Sequence, residues 1–90
     1  MYKLERSEKL KKILKKLFKK DKVRYETTLK KIKEVISSRD PDRYKNLSYS
    51  MKEFKRIHID SHFILIFKLD KNKKVIRFED LQHHDYIYRR

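Results

Sequence analysis

The chain has 90 residues, with 27 Lys plus Arg against 13 Asp plus Glu, a net charge of +14 at pH 7, and neither cysteine nor glycine. That length predicts one small domain, residues 1–90, and the lack of cysteine excludes a disulfide framework, a thiolate zinc site and thiol catalysis. The charge favours a polyanionic partner such as nucleic acid; no run reaches the roughly 20 apolar residues of a membrane span and no signal-peptide core is present, so a cytoplasmic protein without a membrane partner is expected.

Tyr2 and Leu4 alternate with polar residues ahead of the first helix and predict a short strand. Ser7 is placed to cap a helix over residues 8–20, in which Leu10, Ile13, Leu14, Leu17 and Phe18 follow the spacing of one helical face and are expected in the core. The opposite face is a lysine array that includes Lys12, Lys16 and Lys19. It reads either as solvated surface or as a surface for docking on RNA phosphates. Asp21 can cap a second helix carrying Tyr25, Leu29, Ile32 and Ile36 at helical spacing, so the two helices form a hairpin. Helix ends near Ser37 to Pro41, because Pro41 restricts Asp40.

Beyond residue 52 the period becomes extended, in three runs rich in β-branched and aromatic residues: Glu53 to Ile59, His62 to Leu69 and Lys74 to Leu81. Asp60-Ser61 supplies the first turn and Asp70 to Lys73 the second, with Asn72 the expected positive-φ residue. Alternation puts Phe54, Arg56 and His58 on one side of the first run and Ile57 and Ile59 on the other. The expected fold class is α+β: a small antiparallel sheet packed against an N-terminal helical hairpin, in the order β-α-α-β-β-β.

The tail His83-His84-Asp85-Tyr86-Ile87-Tyr88-Arg89-Arg90 concentrates imidazoles, phenols and guanidinium groups. Histidine exchanges protons near neutral pH, and arginine and tyrosine suit a phosphate and a base. Together with the strand Arg56-Ile57-His58-Ile59-Asp60, the following Phe63-Ile64-Leu65-Ile66-Phe67 and the element order, the tail resembles the RelE/ParE toxin superfamily, most of all its YafQ-like branch of ribonuclease toxins. The resemblance implies a RelE-like fold, cleavage of messenger RNA in the ribosomal A site without a metal, and a cognate, acidic antitoxin as partner. A strand histidine of that branch falls at His58, a histidine near the end at His84 and an aromatic residue four positions later at Tyr88. The family's Asp-Trp pair falls at His62-Phe63, which are therefore candidate RNA contacts, and a further family histidine falls near Lys45.

RNA is cut by its own 2′-hydroxyl when a base removes that proton, an acid protonates the 5′-oxygen and cations offset the developing charge, with no metal or other cofactor required. His58 and His84 are the expected proton-transfer pair, Arg56 and Lys45 the phosphate stabilisers and Tyr88 a stacking ring; either histidine can be acid or base. The plainer reading of His62 and His83 is exposed polar residues at a turn and a strand end, and that of Asp85 is an ion-pair partner. Two rival functions are a non-nucleolytic, ParE-like toxin acting on gyrase, against which the two histidines argue, and a basic RNA- or ribosome-binding protein whose histidines are incidental.

Overall fold

The computed structural model describes residues 2–47 and 53–85. Both expected helices form with their expected caps. Helix α1 spans Glu8–Lys20 and α2 spans Lys22–Ser37; the Ser7 side chain accepts from Leu10 N–H, and Asp21 accepts from Arg24 N–H. Each cap satisfies a backbone donor that the first helical turn leaves without a partner. A 3-10 turn at Pro41–Arg43 follows. The strands are β1 (Lys3–Arg6), β2 (Phe54–His58), β3 (Phe63–Asp70) and β4 (Val75–His83).

The sheet runs β1-β4-β3-β2. The last three strands form the expected antiparallel meander, and β1 joins the outer edge of β4 in parallel, so the sheet is mixed. Ser7 fixes that edge: its N–H donates to Phe78 O at 2.9 Å, and its hydroxyl donates to Glu79 O at 2.5 Å while also capping α1. Glu79 is the extra residue of a bulge, since the register passes from Ile66↔Asp80 to Phe67↔Phe78.

The main core lies between the helices and one face of the sheet. Leu10 and Leu14 of α1 and Ile32 and Val35 of α2 meet Leu65, Phe67, Ile76, Phe78 and Leu81, with Ile59 closing one end. Burial of such side chains contributes about 1.5–3 kcal/mol each. A smaller cluster of Leu47, Ile64 and Ile66, with Phe54 against it, occupies the other face. Both faces are therefore partly apolar, as the alternation implied.

Two expectations fail locally. Phe18 is 50% exposed, not core: its ring meets the edge of Tyr25 at 5.2 Å and lies under the Lys22 ammonium. The positive φ of the β3–β4 turn falls on Lys74 (φ 55°), not Asn72, because Asp70 Oδ1 accepts from Lys73 N–H and the reversal is completed one residue later. Among the described residues no helix is long and apolar enough to cross a membrane.

Candidate functional site

The two histidines separated by 26 positions in sequence meet at one end of the sheet. His58 ends β2 opposite Ile64, and Arg56 lies opposite Ile66, on the face where Phe54 joins Ile64 and Ile66. His83 ends β4 opposite Phe63, and His84 is the first residue past the strand. Its N–H donates to His62 O at 2.6 Å, which holds the backbone there. The His58 and His84 rings are then 5.8 Å apart between centroids, with their planes 34° from parallel. Asp85 Oδ1 lies 3.6 Å from His84 Nδ1.

A second wall of the site comes from residues 42–46, which run along the outer edge of β2. Arg56 N–H donates to Lys45 O at 3.0 Å, Leu47 N–H donates to Phe54 O at 2.7 Å, and Arg56 Nε donates to Asn46 O at 3.1 Å. What clamps this segment is Lys55. It points to the core side of β2, is only 8% exposed, and donates to Asp42 O (3.0 Å), Tyr44 O (2.9 Å) and Asn46 Oδ1 (3.3 Å). Asp42 also takes an ion pair from Lys71 at 2.5 Å. The Lys71 hydrogen bond first and the Lys55 bond second hold the Asp42 carboxyl below its usual range, and Asp42 in turn raises Lys71. Tyr44 packs edge-on against Phe67, and its buried hydroxyl has no partner among the described residues.

This wall separates two cavities. One, of about 450 Å³, is lined by Arg43, Tyr44, Lys45, Arg56, Ile57 and His58. The other, of about 570 Å³, shares Tyr44 and Lys45 and extends to Lys68 and Lys71.

Of the sequence candidates, the structure brings His58, His84, Arg56 and Lys45 to one region. His62 and Phe63 lie elsewhere: the His62 ring is 5.9 Å from His83, and Phe63 sits against the His83 edge with the Arg24 guanidinium 4.1 Å above it. Arg24 also binds Asp60 at 3.1 Å. Partial burial pushes the Asp60 carboxyl up, but the amides of His62 and Phe63 together with Arg24 outweigh it and leave the group below its usual range. The four histidines thus form two separate pairs, and among the described residues no three His, Cys, Asp or Glu side chains converge as a metal site. Lys12, Lys16 and Lys19 are exposed along α1 and do not line the cavity beside His58. Tyr88 lies outside the described residues.

Arg43, Tyr44 and Lys55 were not foreseen. Lys55 carried a signal, since alternation places it on the same face as Ile57, where a lysine needs buried acceptors. Nothing in the spacing of Arg43 announces its place beside His58.

No protein-family model matches the chain. Over all 90 residues it is 44% identical to a Methanocaldococcus jannaschii protein provisionally named toxin RelE4, of which the match covers 94%. An uncharacterised protein of Methanosarcina mazei is 45% identical over 73 residues, 81% of this chain and 83% of that one. Among solved structures, YafQ from E. coli strain BL21(DE3) matches with a TM-score of 0.64 across 98% of this chain and 99% of its own. At 24% identity that likeness establishes the fold.

Proposed function

The chain belongs to the RelE family of toxins, and we propose that it is the toxin of a type II toxin-antitoxin module, an endoribonuclease that cleaves messenger RNA on the ribosome. The observation that carries this reading is the approach of His58 and His84 to 5.8 Å, with Arg56 two residues from His58 on the same strand. Two imidazoles at that separation reach the two reacting oxygens of one phosphodiester, each within about 2.6–3.2 Å.

One histidine accepts the 2′-hydroxyl proton as that oxygen bonds to phosphorus; the other gives a proton to the 5′-oxygen as its bond to phosphorus breaks. The products are a 2′,3′-cyclic phosphate and a 5′-hydroxyl, and no electrons are exchanged. Arg56 and Lys45 offset charge on the non-bridging oxygens; guanidinium can do so with two parallel donors. Tyr88 is the sequence's candidate for a stacking ring. The partner is an acidic antitoxin that covers part of this basic surface, a pairing supported by family membership and by the net charge of +14.

The test is cleavage of messenger RNA by purified protein with ribosomes. New cleavage products that vanish in both His58→Ala and His84→Ala are expected. No cleavage, with wild type and His84→Ala equally harmless when expressed in cells, overturns the reading.

A further inference from the structure

The turn between β2 and β3 joins the strand that ends at His58 to the residue that holds His84, and it contains neither glycine nor proline. One side chain sets its shape. Asp60 Oδ1 accepts from the N–H groups of His62, at 2.8 Å, and Phe63, at 3.1 Å. Those two bonds place the His62 carbonyl, which accepts from His84 N–H at 2.6 Å, while Ile59 N–H donates to Phe63 O at 2.9 Å across the same turn. An aspartate caps a turn in this way only while its side chain stays in one rotamer.

That rotamer is held from the helical layer. Arg24, in the first turn of α2, donates from Nε to the other carboxylate oxygen, Asp60 Oδ2, at 3.1 Å, and from Nη1 to Asp21 Oδ2 at 2.7 Å. Asp21 is the junction of the hairpin: its side chain caps α2, and its N–H donates to Leu17 O of α1. The guanidinium also lies 4.1 Å from the Phe63 ring centre. Two carboxylates and an aromatic ring thus fix a planar group that presents donors along its edge and a face for stacking. The hairpin and the histidine pair are thereby joined by consecutive hydrogen bonds, from Arg24 to Asp60, from the His62 amide to Asp60, and from His84 N–H to His62 O.

We propose that Arg24 is a positioning residue for the His58–His84 pair, acting through Asp60 on the β2–β3 turn. The inference rests on the ribonuclease reading and assigns Arg24 no contact with substrate. Its guanidinium fixes the Asp60 carboxylate, the carboxylate fixes the turn, and the turn sets the approach of the two imidazoles to 5.8 Å. Proton transfer requires each imidazole within hydrogen-bond reach of its oxygen, and a misplacement of about 1 Å can cost about 100-fold in rate.

The test is ribosome-dependent cleavage of one message by wild type, Arg24→Gln, Asp60→Asn and the double variant, well below their melting temperatures. Asp60→Asn keeps an oxygen for the two turn amides but turns its NH2 group toward Arg24, which has only donors, so it breaks the same link. Each single variant should lower kcat about tenfold with KM within about twofold of wild type. The double variant should be no slower than the slower single one, because both changes remove one interaction. Arg77→Gln, which removes an arginine paired with Glu5 and Glu79 toward the other end of β4, should keep kcat within about twofold. Amide hydrogen exchange of the free protein, read by NMR, does not depend on cleavage. The His84 amide should exchange about tenfold faster in Arg24→Gln, with amides in the middle of β3 within about twofold of wild type. An unchanged kcat in Arg24→Gln, a loss confined to KM, or losses that multiply in the double variant overturn the positioning role and leave the ribonuclease standing. If wild type cuts no message, the ribonuclease reading fails; faster exchange at His84 then keeps Arg24 as the residue that positions the pair, and unchanged exchange discards it.

Discussion

Replacing Lys55 with methionine removes one charge and keeps most of the side-chain volume. Lys55 is 8% exposed and its ammonium donates to Asp42 O, Tyr44 O and Asn46 Oδ1, so the substitution leaves these acceptors facing an apolar side chain. Hydrogen bonds to a charged donor contribute about 1.5–3 kcal/mol each, but the desolvation of the ammonium itself is recovered on its removal. The net loss should be about 2 kcal/mol. For a chain of this size each kcal/mol moves Tm by about 4–8 °C, so a fall of about 8–16 °C is expected in a thermal melt. Amide hydrogen exchange should rise in residues 43–47 by more than in β3, because the clamp is local. A melt within 2 °C of wild type, or an exchange increase spread evenly over the sheet, would show that Lys55 does not hold the site's wall.

Ser7→Ala should cost about 2 kcal/mol in urea denaturation, about 1 for the cap and about 1 for the hydroxyl bond to Glu79 O; a loss under about 0.5 would mean β1 and α1 are joined by other contacts. Phe18→Ser should change stability by no more than about 1 kcal/mol, against about 3–5 for Phe67→Ala, since one ring is half exposed and the other fully buried. Asp60 has a carboxyl pKa below its unfolded value of about 3.9, so its contribution is present above that pH and disappears as pH falls through the folded value. Asp60→Asn should therefore be less stable than wild type at pH 7, by under about 1 kcal/mol for a carboxylate 35% exposed, and the gap should narrow as pH falls below the unfolded value; a gap that does not change with pH would locate the effect in the turn amides.

What could be read from sequence was what is encoded locally. Ser7 and Asp21 cap their helices because a short oxygen-bearing side chain three residues ahead of an amide is a self-contained device. The meander followed from alternation and from Asp60, whose Oδ1 accepts from two amides of its own turn. The direction of β1 was not local: four exposed residues pair equally well either way, and Ser7, fastened to Phe78 and Glu79, decides it. Phe18 continues the apolar face of α1, yet its partners are Tyr25 and Lys22 and not the sheet. At the site, the resemblance and the alternation brought out His58, His84, Arg56 and Lys45. The pairing of His62 with His83 depends on β3–β4 register, and the place of Arg43 depends on the buried Lys55 bonds, neither of which has a periodic signature.

His83 and His84 are adjacent in sequence but face different partners, Phe63 with His62 on one side and His58 on the other. The most direct measurement is ribosome-dependent cleavage of one message by wild type, His84→Ala and His83→Ala at matched protein concentration. Removing a proton-transfer group should cost at least about 100-fold in rate, so His84→Ala should be nearly inactive while His83→Ala stays within about threefold of wild type. Equal activity in the two variants, or loss in His83→Ala alone, would contradict the assignment of the His58–His84 pair as the cutting site.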